Sequence, residues 1–290
     1  KNIKKFELSP EFAKKFRASI MFVAPLLARL GEVRFPHPGG CVIGAGGRPI
    51  DLFIEGFAAL GAKIKIDGNF YHLKARRLKG AEYFFTTVSV TGTEAMIMAA
   101  SLAQGKTILK NCAMEPEITA LTDYLNGCGA KIKGAGTPTI IIHGVDKLSG
   151  GKFTVIPDRI ETGTFAIMAA AAHAPLTITK CCPAHIESLL AIFKKIGIAY
   201  EVGPDWLKVA AADKFKSYSI KTHEYPGFPT DLQASFTVLA TQANGTSMIH
   251  ETIYDRRLLY ADMLTQMGAN IIMCDPHRAV VMGPARLHGA

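Results

Sequence analysis

Four segments of the chain alternate apolar and polar positions in the way that is typical of amphipathic helices. In residues 185–196, for example, Ile186, Leu189, Leu190 and Phe193 fall at helical spacing with polar residues between them. Each segment runs into a glycine, which suits the left-handed position just after a helix end. The segments are residues 51–60, 117–128, 185–196 and 257–267, and the glycines are Gly61, Gly129, Gly197 and Gly268. The glycines are spaced by 68, 68 and 71 residues, so the sequence predicts a long internal repeat.

A second set of helices is predicted in the first half of each repeat, and these helices are apolar nearly all the way round. They cover residues 18–30, 93–103, 163–172 and 232–242. A strand leads into each, and a short strand follows three of them, at residues 107–110, 176–180 and 246–249. Helices this apolar do not lie on a surface, so we expect them at the centre of each domain, packed behind sheets. The repeat therefore predicts an α/β fold of strand-helix-strand-helix-strand-strand units.

The composition is that of a globular protein and excludes several other classes. An apolar fraction of 49% and a charged fraction of 20% are ordinary for a folded protein, and 290 residues suffice for two domains. The longest apolar run, residues 165–172, is too short to span a bilayer, and no secretory signal is visible. The six cysteines form no Cys-x-x-Cys pair and have no zinc-type spacing. We therefore expect a reduced, intracellular protein without a metal.

The formal charge of +9 has three interpretations that charge alone does not separate. It fits a solvated surface, a nucleic-acid surface, or a site that collects anionic small molecules.

A glycine-rich loop at residues 38–51 interrupts the first repeat just before a predicted helix. It contains five glycines together with Cys41 and Arg48. Backbone N–H groups in such a loop bind anions, and an arginine adds a fixed positive group. A cysteine beside a cation on a polar loop is chemically available. The alternative is a flexible turn with a stray cysteine.

Two further polar stretches lead into apolar helices. Residues 157–164 hold two acids and an arginine, and they fit either an ordinary helix N-terminus or a hinge between domains. In residues 225–233, Thr230 or Asp231 could cap the helix, or Asp231 could be a catalytic base approached through two prolines. The residues leave both alternatives open.

Seven short strings occur in a fixed order along the chain. They are Arg17-Ala18-Ser19-Ile20, Pro38-Gly39-Gly40-Cys41, Arg48-Pro49-Ile50-Asp51-Leu52, Ser89-Val90-Thr91-Gly92-Thr93-Glu94, Glu115-Pro116-Glu117-Ile118, residues 157–165, and Phe228-Pro229-Thr230-Asp231. Together they resemble the UDP-N-acetylglucosamine 1-carboxyvinyltransferase family of enolpyruvyl transferases, over essentially the whole chain.

The resemblance implies the enolpyruvyl transferase fold. That fold has two domains of repeated strand-helix units around pseudo-threefold axes, expected here at residues 1–155 and 156–290. The family uses three units per domain, whereas the repeat gives two in each, so we expect the chain to lack one unit per domain.

Two catalytic roles are implied by position. Cys41 matches the loop cysteine that donates a proton to the enolpyruvyl methylene carbon and that fosfomycin alkylates. Asp231 matches the carboxylate that takes the proton of the sugar 3-hydroxyl. Addition to an enol ether needs such an acid near the carbon and such a base near the hydroxyl.

Substrate contacts are implied in the same way. Arg17 and Arg48 match the arginines that hold the phosphate and carboxylate of phosphoenolpyruvate, and Leu52 is expected against uracil. The remaining expected substrate-binding residues are Pro49, Ile50, Asp51, Ser89, Val90, Thr91, Arg159, Ile253 and Arg257.

The implied reaction transfers the enolpyruvyl group of phosphoenolpyruvate to the 3-hydroxyl of UDP-N-acetylglucosamine, with release of phosphate. This is the first committed step of peptidoglycan synthesis in the bacterial cytoplasm. The two substrates are the expected partners, with no cofactor, nucleic acid or membrane.

Three alternatives stay open. The chain could be a catalytically silent UDP-sugar-binding relative or an inactive fragment. It could be the related transferase that acts on shikimate 3-phosphate. It could also bind RNA, since RNA 3′-terminal phosphate cyclases use a similar repeat unit.

Overall fold

The computed structural model describes residues 3, 5–40 and 50–289, and these residues form two compact units. Unit 1 extends to Val155 and unit 2 begins at Ile156. Each unit contains its own cluster of buried apolar side chains and therefore has its own core. None of the described helices is long and apolar enough to cross a membrane.

Unit 1 combines helices with two sheets. Its helices are α1 (Pro10–Lys15), α2 (Val23–Leu30), α3 (Asp51–Ala59), α4 (Val90–Ala100) and α5 (Pro116–Gly127), with a 3-10 helix at Arg17–Phe22. Its strands are β1 (Glu32–Pro36), β2 (Lys63–Asp67), β3 (Phe70–Lys74), β4 (Glu82–Phe84), β5 (Lys106–Lys110), β6 (Lys131–Lys133) and β7 (Thr139–His143). The sheet orders are β1-β3-β2 and β4-β5-β7-β6, and the β4–β5 pair is parallel.

Unit 2 is built in the same way. Its helices are α6 (Arg159–Ala171), α7 (Glu187–Ile196), α8 (Gln233–Gln242) and α9 (Ala261–Gln266), with 3-10 helices at Pro183–Ile186 and Thr230–Leu232. Its strands are β8 (Leu176–Thr179), β9 (Tyr200–Val202), β10 (Trp206–Val209), β11 (Ile220–Lys221), β12 (Gly245–His250), β13 (Asn270–Asp275) and β14 (Arg278–Gly283). The sheet orders are β8-β10-β9 and β11-β12-β14-β13, and the β11–β12 pair is parallel.

The predicted repeat is present as an α/β unit. The second and fourth repeats have every predicted element, in the orders β4-α4-β5-α5-β6-β7 and β11-α8-β12-α9-β13-β14. In the described parts of the first and third repeats, the sheets have three strands and lack the first one. A single parallel bridge between Glu7 and Arg34 occupies that place in the first repeat.

The apolar helices lie in the cores, as predicted from their composition. Helix α2 packs against α4 in unit 1, and α6 packs against α8 in unit 2. Met96 and Ile97 of α4 are fully buried. In contrast, α6 leaves Phe165 and Met168 42% and 50% exposed, so its burial extends to one face only.

Two predicted helices begin four or five residues later than expected, after turns. Residues 18–30 form a 3-10 turn followed by α2, which begins at Val23 and carries Pro25 in its first turn. Proline is tolerated in a first turn but lacks the N–H that a helix interior needs, so the break falls before it. The helix predicted at residues 257–267 is confined to α9, because residues 255–260 form turns in which Arg256 has a left-handed φ of 55°.

The glycines that end the amphipathic helices adopt the predicted left-handed conformation. Gly61, Gly129, Gly197 and Gly268 have φ values of 87°, 97°, 91° and 97°. At the end of α5, the Gly129 N–H donates to the Asn126 carbonyl and the Ala130 N–H donates to the Leu125 carbonyl, both at 2.9 Å. This is the Schellman arrangement, which satisfies the last carbonyls of a helix and turns the chain into the next strand.

Replacing Gly129 with alanine tests this conformational requirement. A Cβ at Gly129 would meet no atom of the described residues within 4 Å, so the cost comes from the left-handed backbone alone. We expect Gly129→Ala to lower the free energy of unfolding by about 1–2 kcal/mol in urea denaturation.

Gly127 provides a matched control two residues away. It is the last residue of α5, does not have a positive φ, and also has open space where a Cβ atom would lie. Gly127→Ala should be neutral or stabilising by up to about 1 kcal/mol. Equal effects of the two substitutions would contradict the interpretation.

Candidate active site

Three of the predicted site residues belong to the glycine-rich loop and lie outside the described residues. They are Cys41, Arg48 and Pro49. The structure describes the chain up to Gly40 and again from Ile50, on either side of these residues.

The segment before the loop packs directly on the helical turn that carries Arg17. A Cβ atom on Gly40 would lie 2.6 Å from the backbone nitrogen of Arg17, and Gly40 has a φ of 94°. A Cβ atom on Gly39 would lie 2.1 Å from the carbonyl oxygen of Lys14. Both glycines are required because the backbones approach so closely. The residue before Cys41 therefore contacts the segment that carries a predicted phosphoenolpyruvate-binding arginine.

The segment after the loop enters α3. Ile50 is buried, Asp51 is exposed in the first turn, and Leu52 is half-buried. The Tyr83 hydroxyl, on β4, donates to the carbonyl oxygen of Leu52 at 3.2 Å. Burial raises the pKa of Tyr83 to about 12, so the hydroxyl keeps the proton that it donates. The sequence did not single out Tyr83, because tyrosine is ordinary in a strand.

The remaining predicted contacts of unit 1 begin α4. Ser89 caps this helix, since its hydroxyl accepts the N–H of Gly92 at 3.1 Å. Val90 is half-buried, and Thr91 is exposed in the first turn.

Helices α3 and α4 pack closely within unit 1. A Cβ atom on Gly56 of α3 would lie 2.5 Å from the sulfur of Met96 on α4, so a larger residue there would require the buried Met96 side chain to move. Both helices begin at predicted nucleotide-sugar contacts, and the first N–H groups of a helix are suited to anionic groups such as a diphosphate.

Acidic residues occur close to the first turn of α4. Glu94 of α4 lies near Glu117 and Glu115, at the start of α5. Burial raises the pKa of Glu94 to about 7, and the charges of Glu117 and then Glu115 add to the shift. These residues occur in the strings Ser89–Glu94 and Glu115–Ile118, but nothing in the sequence indicated that they would lie together.

In unit 2, α6 begins with Asp158 and Arg159. The Asp158 carboxylate accepts the N–H groups of Ile160 and Glu161 at 2.8 and 3.0 Å, which makes it an ordinary helix cap. The Arg159 guanidinium carbon lies 5.8 Å from the centre of the Tyr225 ring. The two polar stretches of the third and fourth repeats thus contact each other.

Helix α6 also packs against the turn that carries Asp231, and a glycine on α6 makes room for that turn. A Cβ atom on Gly163 would lie 2.5 Å from a methyl carbon of Leu232, the residue after Asp231. The 3-10 helix Thr230–Leu232 packs on α6 at this point.

Asp231 forms an ion pair with Arg257. Arg257 Nη2 lies 2.5 Å from Asp231 Oδ1, and Arg257 Nη1 donates to the Thr230 hydroxyl at 2.9 Å. The Asp231 side chain is 51% exposed and that of Arg257 is 18% exposed. The pair therefore holds one carboxylate oxygen while solvent still reaches the carboxyl group. Two residues that are 26 positions apart in sequence form one polar group.

Neither Thr230 nor Asp231 caps α8, so that alternative is wrong. No side chain in the described part of the chain caps the 3-10 turn or α8. The Thr230 hydroxyl instead donates to Glu251 Oε2 at 2.8 Å. Glu251 is fully buried, and the sequence did not mark it as part of the site.

The segment that carries Ile253 is attached to the same carboxylate. The N–H groups of Ile253 and Tyr254 donate to Glu251 Oε1 at 2.8 and 3.1 Å. The Arg257 guanidinium carbon lies 5.3 Å from the centre of the Tyr254 ring. Ile253 itself is half-buried.

Each unit thus collects part of the predicted site. Unit 1 holds Arg17 and the starts of α3 and α4, while unit 2 connects Asp231, Arg257 and Ile253 through Glu251. Within the described ranges, no group of three histidine, cysteine or acidic side chains is arranged to hold a metal ion.

The sequence matches one protein-family model over its whole length. The model is that of EPSP synthase (3-phosphoshikimate 1-carboxyvinyltransferase), and residues 1–290 match it.

Curated relatives carry a different name. The chain is 46% identical over 288 residues to the UDP-N-acetylglucosamine 1-carboxyvinyltransferase of Desulforapulum autotrophicum, covering 99% of this chain and 69% of that protein. It is also 46% identical over 290 residues to the protein of that name from Koribacter versatilis, covering 100% of this chain and 66% of that protein. The chain therefore spans about two thirds of the length of these relatives.

Solved structures share the fold. The enolpyruvyl transferase NikO from Streptomyces tendae matches with a TM-score of 0.85 at 22% identity, over 98% of this chain and 67% of that chain. EPSP synthase from Acinetobacter baumannii matches with a TM-score of 0.64 at 19% identity, over 93% of this chain and 64% of that chain. These likenesses concern the fold alone.

The raised pKa of Glu94 predicts a pH-dependent stability. The pKa rises from an ordinary value of 4.5 to about 7 on folding, so the folded protein binds more protons than the unfolded chain between these values. The free energy of unfolding should therefore fall as pH rises through this window. Glu94→Gln should reduce that fall and should stabilise the protein at high pH by roughly 1–2 kcal/mol, after allowance for solvent screening.

The measurement is urea denaturation of both proteins at about pH 4.5 and about pH 8. Asp123→Asn is the control, because Asp123 is an exposed acid on α5 of the same unit. A Glu94→Gln variant with the pH dependence of the unmodified chain would show that Glu94 is not the titrating group.

Proposed function

The chain belongs to the EPSP synthase family, and within it to the UDP-N-acetylglucosamine 1-carboxyvinyltransferases, and from this membership we propose its reaction. It transfers the enolpyruvyl group of phosphoenolpyruvate to the 3-hydroxyl of UDP-N-acetylglucosamine and releases phosphate. The reaction supplies peptidoglycan synthesis in the bacterial cytoplasm. The observation that carries the proposal is 46% identity to enzymes of that name over nearly the whole chain.

The choice of acceptor follows from the relatives and not from the family model. The family model carries the name of an enzyme that acts on 3-phosphoshikimate. The solved EPSP synthase structure, however, is only 19% identical to the chain. The 46% identical relatives carry the name of the nucleotide-sugar enzyme. We therefore favour UDP-N-acetylglucosamine over shikimate 3-phosphate.

The chemistry needs two proton transfers in the addition step. The sugar hydroxyl loses its proton as its oxygen attacks C2 of phosphoenolpyruvate, and the methylene carbon C3 gains one. We assign the base to Asp231 and the acid to Cys41. Loss of phosphate and of a proton from C3 then restores the double bond.

The contacts of Asp231 support its assignment as the base. One oxygen is held by Arg257, and no other described residue hydrogen-bonds the second oxygen, which remains available to a sugar hydroxyl. A catalytic base must lie within hydrogen-bond reach of the proton that it takes, and a fixed carboxylate meets that need.

The cationic residues are assigned to the anionic substrates. Arg17 and Arg48 bind phosphoenolpyruvate, and Arg159 and Arg257 contribute positive charge near the reacting groups. The remaining nucleotide-sugar contacts are proposed at Pro49, Ile50, Asp51, Leu52, Ser89, Val90, Thr91 and Ile253.

Release of phosphate from phosphoenolpyruvate tests the proposal. Release should require UDP-N-acetylglucosamine and should not occur with shikimate 3-phosphate. We expect Asp231→Ala and Cys41→Ala each to lower kcat by about 10²–10⁴-fold, because each removes one proton transfer. Asp262→Ala, an exposed acid on α9 of the same unit, should keep full activity.

The assay uses the 290-residue chain and a chain extended to the length of its curated relatives. Calorimetric binding of UDP-N-acetylglucosamine by both proteins without any phosphate release would overturn the proposed reaction and indicate a silent nucleotide-sugar binder. Release with shikimate 3-phosphate alone would assign the chain to the other acceptor.

A further inference from the structure

Glu251 is a fully buried carboxylate at the end of β12 whose two oxygens have different partners. Oε1 accepts the N–H groups of Ile253 and Tyr254 at 2.8 and 3.1 Å. Oε2 accepts the Thr230 hydroxyl at 2.8 Å. The side chain therefore joins the segment before α9 to the turn before α8.

Only a carboxylate satisfies all of these donors. Two backbone N–H groups and one hydroxyl all point at the Glu251 side chain, and both of its oxygens accept. Glutamine has the same shape but offers one oxygen and one NH₂ group, which donates. With the amide oxygen toward the backbone, the NH₂ group of a glutamine would face Thr230.

The Thr230 hydroxyl transmits this restraint to Arg257. A hydroxyl has one proton, and Thr230 gives it to Glu251, so a lone pair is left to accept Arg257 Nη1 at 2.9 Å. The other guanidinium nitrogen, Nη2, then lies 2.5 Å from Asp231 Oδ1. Glu251 thus fixes the direction of the hydroxyl, the hydroxyl fixes one edge of the guanidinium, and the guanidinium holds the carboxylate.

We propose that Glu251 is a positioning residue that orients the Asp231 carboxylate through Thr230 and Arg257. The inference rests on the proposed function for its catalytic consequence, since Asp231 is the proposed base. It adds a buried residue that acts on the proposed base through two hydrogen-bonded side chains, Thr230 and Arg257.

The first test is Glu251→Gln, assayed by phosphate release at a temperature where the variant is fully folded. We expect kcat to fall by about 10–100-fold, because small displacements of a catalytic group have effects of this size. The KM for phosphoenolpyruvate should change less than about threefold, because the two arginines proposed to bind this substrate, Arg17 and Arg48, lie outside the relay. An unchanged kcat would overturn the inference.

A kinetic double-mutant cycle separates positioning from general loss of structure. Asp231→Asn should lower kcat strongly in the unmodified chain but much less in the Glu251→Gln background, where the carboxylate is already misplaced. If the two effects multiply independently, Glu251 has only a structural role and the inference fails.

Two further variants complete the design. Thr230→Ser keeps the hydroxyl and should retain most of the activity, whereas Thr230→Val removes the relay and should resemble Glu251→Gln. Thr241→Val is the matched control, because Thr241 is another buried threonine of unit 2 whose hydroxyl donates within α8 at 2.7 Å. It should lower thermal stability without lowering kcat.

An equilibrium cycle tests the relay without any reliance on activity. Urea midpoints are measured for Glu251→Gln, Asp231→Asn and the double variant. If Glu251 orients the Arg257–Asp231 pair, Asp231→Asn should cost less stability in the Glu251→Gln background. If the two substitutions are coupled in stability but the protein releases no phosphate, the proposed function fails and the relay stands. If their effects on stability are additive and the protein is active, the relay fails and the proposed function stands.

Discussion

The packing of two apolar helices against each other is the interaction on which each unit depends. In unit 1 the pair is α2 and α4, and in unit 2 it is α6 and α8. Small side chains such as Ala99 and Ala170 are fully buried and allow the backbones to approach. The sheets then bury one face only: in β5, Thr107 and Leu109 point inward while the neighbouring positions are partly or fully exposed. Burial of such apolar area is the main favourable contribution to folding, so the remaining elements are arranged around these pairs.

This arrangement also explains why the proposed site residues recur at the same place in every repeat. Ser89 and Arg159 lie at the starts of α4 and α6, and Arg17 and Asp231 lie in the 3-10 helices that lead into α2 and α8. The helix interiors are largely apolar because they form the cores, which leaves the first turns as the positions where charged side chains reach solvent. Helix N-termini also present unpaired N–H groups and a positive end of the dipole, which suits the phosphate and carboxylate groups of the proposed substrates.

The sequence predicted the fold well because the determining signals are local. A left-handed glycine such as Gly129 and an apolar helix such as α4 are specified by neighbouring residues. The same local rules failed where a distant residue decides the outcome. The helix expected to begin at residue 257 begins at Ala261, after a series of turns that follows the Ile253 and Tyr254 N–H groups bound to the buried Glu251 carboxylate. In the candidate site, the sequence alone predicts a role for Asp231, but the pairing of Asp231 with Arg257 depends on how two segments of the fourth repeat come together.

The burial of Glu251 is difficult to explain by stability alone. Transferring a carboxylate from water into a protein interior costs several kcal/mol, and hydrogen bonds offset this cost only in part. A well-packed apolar residue at the same place would avoid the cost, but it would leave the N–H groups of Ile253 and Tyr254 without their acceptor. It would also leave the Thr230 hydroxyl without the partner that fixes its direction. What the buried charge provides is a single defined geometry for a turn, a hydroxyl and a guanidinium. A fixed geometry matters little for the stability of a core, but it matters a great deal for a carboxylate that must take the proton of one substrate hydroxyl.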